Sequence, residues 1–387
     1  MDKRIKIDLF FWDTWSIIIL SRWEQKWTGF LFVIRRMTLA EEKLRISKEL
    51  VDLQRLVVPE IGSLIELRYN ILSTIKSEEP IGRRNLAFVL DMSERQIRNE
   101  IDFLQNQKLV KVERQGVVLT EIGHDIIIQL KRMLYTYNGL EQLEKQLETQ
   151  LHLKKAIVSP GDIDMNYQVL NFMGRSAAQY VLSVMKYKDV LALTGGASTA
   201  AVSEQMKESV YPDVYVIPAR GGIGKSHSTQ ANNVVAEMGL KLHANYELLH
   251  LPDNIDSRLL DALKDYPEIK RVFDKMEDID VFVFGIGRAD VLADWRNLPF
   301  AKKQKILDAG AVSESFGHYF DINGHVVSPS STIGVSIENY REIPHAIGIA
   351  GGTSKAEAII GVCRVKPNMV LITDESAAKE IVRKLNK

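Results

Sequence analysis

The chain has one cysteine, Cys363, in 387 residues, and no excess of charge, with 50 Lys+Arg against 50 Asp+Glu. A lone thiol excludes an internal disulfide and any zinc site built from several thiolates, so no metal is expected. A reducing, cytoplasmic setting fits. Net neutrality removes any global electrostatic argument for nucleic acid, and a footprint for DNA must be local. Long apolar runs are missing too: nothing uncharged approaches the roughly 20 residues of a membrane helix, so no membrane partner is expected. Neither the Walker spacing nor the GxGxxG fingerprint occurs in the glycine-rich loops, so no nucleotide and no cofactor are expected.

What is present has the length of roughly two or three domains. Residues 1–36 hold Trp12, Trp15, Trp23 and Trp27, leaving only Trp295 elsewhere. Apolar runs there are broken by Asp13, Arg22, Glu24 and Lys26, and lack the order of a signal peptide. The expectation is that 1–36 stands outside the functional fold and that Met37, ahead of helix-forming Thr38–Lys43, is the natural start.

The first folded unit is expected over 37–123. Leu64, Leu67, Ile71, Leu72 and Ile75 give one helix a buried face. Pro80 and Gly82 break the chain, Arg84–Leu90 forms a short second helix, and Asp91-Met92-Ser93 turns into a third. In that third helix Ser93 and Gln96 make a capping box, and Ile97, Ile101 and Leu104 form a narrow apolar stripe. Glu94, Arg95, Gln96, Arg98 and Asn99 lie mostly off the stripe near the helix start, where a recognition helix touches base edges and phosphates. Leu109–Glu113 and Val117–Leu119 flank a turn at Arg114-Gln115-Gly116, as strands of a wing. Three helices and a ribbon make a winged helix-turn-helix. Between Arg83 and Arg98 four basic residues (Arg83, Arg84, Arg95, Arg98) face two acidic ones (Asp91, Glu94), a patch able to meet phosphates; Arg114 at the wing tip is a further candidate contact. The same pattern also suits a helix used for protein contacts.

Residues 124–152 read as a linker or oligomerisation helix. Ile127, Leu130, Leu134, Leu140, Leu143, Leu147 and Leu151 step by three or four residues, as consistent with packing on the helix's own domain as with pairing between chains. Because a single helix-turn-helix reader usually pairs on a palindrome, a homo-oligomer is expected.

From 153 to 387 short apolar runs alternate with amphipathic helices. Candidate strands are Ala156–Val158, Val190–Leu193, Val214–Ile217, Leu248–Leu251, Val281–Phe284, Ala346–Ile349 and Met369–Ile372. This is the pattern of a mostly parallel, Rossmann-like sheet covered on both faces, whose ligands sit beyond the strands' carboxyl ends. Two strand exits pair glycine with hydroxyls. One is Thr194-Gly195-Gly196-Ala197-Ser198-Thr199; the other is Gly351-Gly352-Thr353-Ser354-Lys355. Glycine admits close approach, a helix N-terminus favours an anion, and Lys355 adds a compact charge. A small sugar carrying one or two phosphates suits such a pair. Arg220, Gly285 and Glu314 follow further strands, Arg220 able to fork onto phosphate and Glu314 to accept from sugar hydroxyls.

Several motifs occur in one order: Glu79–Arg84 with Ser93-Glu94-Arg95, then Thr194-Gly195-Gly196, Pro218–Gly222, Glu314–Gly317 and Gly351–Ala358. In these the chain, from about Leu50 onward, resembles the SorC family of sugar-responsive repressors. The resemblance implies an α/β effector domain similar in fold to sugar-phosphate isomerases. It implies a repressor of a glycolytic operon that binds operator DNA as a tetramer, a dimer of dimers, and is induced by fructose 1,6-bisphosphate. It assigns effector contacts to Gly195–Thr199, Lys355, Arg220, Gln230, Glu314 and Arg296. Another SorC-type regulator answering a different phosphosugar is the alternative. Related deaminases follow the Gly-Ile-Gly loop with a histidine element for acid–base chemistry. Here Arg288-Ala289-Asp290-Val291 follows instead, so no enzyme and no catalytic residue is expected.

Overall fold

The computed structural model describes residues 53–54, 57–58, 60–222, 229–251, 259, 262–263, 265–328 and 333–386. The expectations for residues 1–36, for the Met37 start and for the leading segment to residue 52 lie outside the described residues. The chain divides into a unit Met1–Leu64 and a unit Ile65–Lys387, and the second carries everything below.

Its first part is the winged helix-turn-helix. The helix Glu60–Glu78 leads to the short helix Arg83–Val89 and then to the recognition helix Glu94–Asn106. Ile71, Leu72, Ile75, Leu86, Ile97 and Ile101 are wholly buried together. The capping box forms as expected: the Gln96 backbone N–H donates to Ser93 Oγ while Gln96 Oε1 accepts from the Ser93 N–H. The wing pairs β1 (Val110–Val112) antiparallel to β2 (Val117–Leu119). Ile81 bridges to Val117, and a Cβ on Gly116 would lie 2.7 Å from the Ile81 backbone, at φ +149. Only glycine lets the wing close against that segment.

The expected single helix over 124–152 is two helices, Glu121–Tyr137 and Leu140–Leu151, broken at Asn138-Gly139 with Gly139 at φ +65. The two halves pack differently. Ile127 and Leu134 belong to the winged-helix core. Leu140, Leu143, Leu147 and Leu151 belong to the core of the sheet domain. The leucine stripe packs within the chain, which is one of the two readings its spacing allowed, and the break between the helices is where one folded part hands over to the next.

The sheet domain is built on seven parallel strands: β3 (Lys155–Ser159), β4 (Val190–Leu193), β5 (Tyr215–Pro218), β6 (Asn245–Tyr246), β7 (Val281–Gly285), β12 (His345–Ile349) and β13 (Val370–Asp374). Their spatial order is β3-β13-β12-β7-β4-β5-β6. Buried apolar clusters lie on both faces, as for a covered parallel sheet. The expected strand at Leu248–Leu251 is instead β6 at Asn245–Tyr246. Beyond it the chain turns away to bond with the Asn232 side chain, so Leu249 is apolar because it is buried, not because it is in the sheet. A second, antiparallel sheet was not foreseen. It orders β11 (Val326–Ser328), β10 (His318–Phe320), β9 (Ser313–Ser315) and β8 (Gly287–Arg288). Runs of two or three residues leave little periodicity to read.

The sheet order reverses between β4 and β7: β5 and β6 extend to one side, β12 and β13 to the other. Such a switch point opens a crevice at the strands' carboxyl ends.

Leu147 tests the intrachain packing of the leucine stripe. Leu147→Ala should cost the sheet domain about 2–5 kcal/mol in chemical denaturation and leave the sedimenting mass unchanged. A smaller mass at unaltered stability would instead assign the stripe an interchain role.

Candidate functional site

A cavity of about 370 Å³ lies at that switch point. On one side the exit of β4 supplies Thr194, Gly195, Gly196, Ala197 and Ser198, the last two opening the helix Ala197–Gln205. A Cβ on Gly195 would sit 2.6 Å from the Thr229 carbonyl, and the Gly196 N–H donates to that same carbonyl at 2.8 Å. Gly196 stands at φ +120, so both glycines are required where they are. Thr194 ties β4 to β7: its hydroxyl accepts from the Gly285 N–H at 3.2 Å.

Opposite is a buried carboxylate. Glu314 is 3% exposed, and its Oε1 accepts from Arg220 Nη1 at 3.1 Å, from Arg296 Nη2 and from the Gly317 N–H at 2.7 Å. The hairpin between β9 and β10 makes the last contact possible, turning through Phe316 at φ +37 and Gly317 at φ +100. Arg220 is held along its backbone by a bridge to Gly334. One carboxylate thus positions two guanidiniums on the cavity wall, an arrangement suited to planar, bidentate recognition of phosphate.

The second glycine loop enters differently from expectation. Lys355 lines the cavity. Gly352 and Ser354 do not: the Gly352 N–H donates to the wholly buried Asp374, and Ser354 is exposed in a separate depression beside Arg288 and Glu357. Thr199 is also withdrawn, buried with its hydroxyl donating to the Gly196 carbonyl. Gln230 precedes the helix Ala231–Leu242, and its neighbours Thr229 and Ala231 line the cavity rather than Gln230 itself. Sequence reasoning missed Ile286, Val291, Leu292, Trp295 and Phe316, which form an apolar part of the wall. The only signal for Trp295 was its place beside Arg296.

Burial lowers the Lys355 ammonium below the ordinary lysine range, with Asp164 and Asp374 opposing the shift. Among the described residues no group of His, Cys, Asp or Glu could hold a metal ion, and no helix is long and apolar enough to cross a membrane.

On the winged helix, Arg95, Gln96, Arg98 and Asn99 are exposed along the start of the recognition helix. The other candidates carry intramolecular duties. Ser93 and Gln96 form the cap, Glu94 pairs with Arg84 at 3.3 Å, and Arg83 lies 3.7 Å from Asp102. Arg114 is exposed in the turn between β1 and β2.

The comparisons follow the same division. A family model described as the CggR N-terminal DNA binding domain matches residues 64–134, and one described as "Putative sugar-binding domain" matches 135–383. The chain is 37% identical to the central glycolytic genes regulator of Priestia megaterium, over 88% of this chain and all of that one. The regulator of the same name from Bacillus subtilis is likewise 37% identical, over 87% of this chain and 99% of its own. The chain belongs to the SorC family of transcriptional regulators, with the central glycolytic genes regulators among its relatives. The full-length sorbitol operon regulator from Klebsiella pneumoniae shares the fold, with a TM-score of 0.61 at 20% identity over 82% of this chain and 98% of that one. The family models meet between residues 134 and 135, close to the Asn138-Gly139 break. The chain is a DNA-binding, sugar-binding transcriptional regulator.

Glu314→Ala would leave two guanidiniums facing each other without their shared anion. It should destabilise the sheet domain by about 3–5 kcal/mol, read as a shift in the denaturation midpoint. An unchanged midpoint would show that the cluster does not hold the wall together.

Proposed function

We propose that the chain represses a glycolytic operon as a cytoplasmic homo-oligomer, a dimer of dimers on operator DNA, and is released by a phosphorylated sugar, with fructose 1,6-bisphosphate the leading effector. The observation that carries this is the switch-point cavity, where two guanidiniums on one buried carboxylate face a glycine-hydroxyl loop at a helix N-terminus. Phosphate has a cationic wall and a dipole to meet, and sugar hydroxyls have Thr194, Ser198 and Glu314. On the DNA side Arg95, Arg98 and Asn99 are the readers, and Arg114 a phosphate contact from the wing. Net neutrality is no obstacle, since these charges are local. Effector and operator are then linked through the conformations each prefers, and the coupling is reciprocal: whatever factor the effector takes from operator affinity, the operator takes from effector affinity.

One observation favours a monophosphate as a second reading. Of the loop Gly351–Lys355 only Lys355 lines the cavity, so a second phosphate would meet a cation rather than a full cradle. Thermal-shift titration with fructose 1,6-bisphosphate and fructose 6-phosphate separates the two: the true effector gives the larger shift at equal concentration.

Operator gel shifts test the division of labour. Arg95→Ala should weaken operator binding by about 1–3 kcal/mol and leave effector affinity unchanged. Lys355→Met should leave operator binding intact and weaken the effector about tenfold or more. Exchanged phenotypes would overturn the assignment.

The lowered Lys355 also sets a pH dependence. A bound phosphate favours the charged ammonium, raising its pKa in the complex above that of the free protein. Affinity is therefore full below the free-protein value and falls as pH rises through it. Titration calorimetry across that range should show this limb in the wild type and lose it in Lys355→Met.

A further inference from the structure

The cavity has an apolar wall for which neither phosphate nor hydroxyl recognition accounts. Trp295 ends the short helix Ala289–Trp295, directly before Arg296. It lines the cavity with Val291 and Leu292, and yet Trp295 is 50% exposed and Val291 is 52% exposed. Leu292 is seated against β8: a Cβ on Gly287 would fall 2.3 Å from Leu292 Cδ1, so the leucine side chain packs directly on the glycine of that strand. At the other end the Arg296 side chain is fixed on Glu314. With both ends of the segment anchored, the indole is held at the cavity while half of its surface stays in water.

An indole carries one of the largest apolar surfaces of any side chain, and leaving half of it solvated forgoes much of the gain of burial. A sugar ring has the matching shape. Its hydroxyls and phosphates project from the edge, and its C–H bonds leave an apolar face. The polar groups of the cavity, Ser198, Arg220, Glu314 and Lys355, serve the edge; Trp295 is the large flat apolar surface beside them. We infer that Trp295, backed by Val291 and Leu292, packs on the carbon face of a cyclic phosphosugar and selects ring sugars over acyclic phosphates. The inference rests on the phosphosugar reading of the cavity and adds the residue that distinguishes ligands within that class.

The test is titration calorimetry on the full chain and on Trp295→Ala, Trp295→Leu and Trp295→Phe. Fructose 1,6-bisphosphate and glucose 6-phosphate are the ring ligands, and glycerol 3-phosphate and inorganic phosphate the controls. Trp295→Ala should weaken the ring ligands about tenfold and leave the controls within about twofold. Trp295→Phe should recover most of the loss. Trp295→Leu, which keeps apolar bulk without a flat face, should fall between the two and guards against a folding defect in the alanine variant. Equal weakening of all four ligands would mean that Trp295 merely supports Arg296, and unchanged ring affinity would mean that it touches no ligand; either overturns the inference while the phosphosugar reading stands. A wild-type chain that binds neither ring ligand would overturn that reading first, and the inference with it.

Discussion

The switch-point cavity depends on the Glu314 carboxylate being buried without being abandoned. A carboxylate 3% exposed is tolerable only when paired and hydrogen-bonded. Glu314 reaches that state by drawing in Arg220 from the exit of β5, Arg296 from the end of the helix Ala289–Trp295, and the Gly317 N–H from its own hairpin. Three separate stretches of chain are thereby fixed relative to one another. These two guanidiniums and the Lys355 ammonium all line the cavity wall. The arginines are already desolvated and oriented, so the phosphate of the proposed function would cost them little further side-chain entropy.

A second buried carboxylate connects this site to the rest of the unit. Asp374 ends β13 wholly buried, and accepts from the N–H groups of Gly352, Ile163 and Ala377 and from the Ser376 hydroxyl. It therefore joins the loop that carries Lys355 to the loop that follows β3 and to the start of the helix Glu375–Leu385. The next residue, Glu375, accepts from the Asn138 side chain at 2.7 Å, beside the break between the two connecting helices, and from the Gly161 N–H at 3.3 Å. Across that loop lies Glu66 of the first winged-helix helix, its carboxyl raised above the usual range by burial first and by the Glu375 charge second. From Lys355 to Asn138 the contacts are short, polar and continuous. The break between the two connecting helices is thus bonded to the same strand end that shapes the loop carrying Lys355.

Legibility from sequence followed the length of the repeating signal. The recognition helix was readable because its capping box and its apolar stripe at Ile97, Ile101 and Leu104 are local and agree with each other. Six of the seven parallel strands were readable because buried parallel strands are near-continuous apolar runs, and β6 failed because Leu248–Leu251 is apolar for a different reason, the burial of a loop. The leucines from Leu140 to Leu151 carried a true helical period, but period says nothing about what covers the stripe. Within the cavity wall, charged residues were visible, as Arg220, Glu314 and Lys355 show. Gly352, Ser354 and Thr199 looked equivalent to their neighbours and are turned elsewhere by bonds to Asp374, by exposure and by a hydroxyl bond back to the Gly196 carbonyl. For Gly352 the deciding partner, Asp374, is 22 positions away in sequence, and no local pattern encodes it.

On the proposed function, the two sets of arginines would let a neutral chain meet two anions in different ways. In the cavity Arg220 and Arg296 are buried and paired, so their field is short-ranged and salt cannot readily screen it. On the winged helix Arg95 and Arg98 are exposed to solvent, while Arg83 and Arg84 lie against Asp102 and Glu94 of the recognition helix itself. Exposed pairs of that kind contribute little to stability, but they keep the acidic residues of the helix compensated, so that Glu94 and Asp102 repel a DNA backbone less than unpaired carboxylates would. Operator affinity built on such exposed charges falls steeply with ionic strength, whereas a ligand held by the buried cluster is far less sensitive. On the proposed function, salt would therefore act chiefly through the DNA side of the equilibrium, and the net charge of zero conceals two electrostatic regimes.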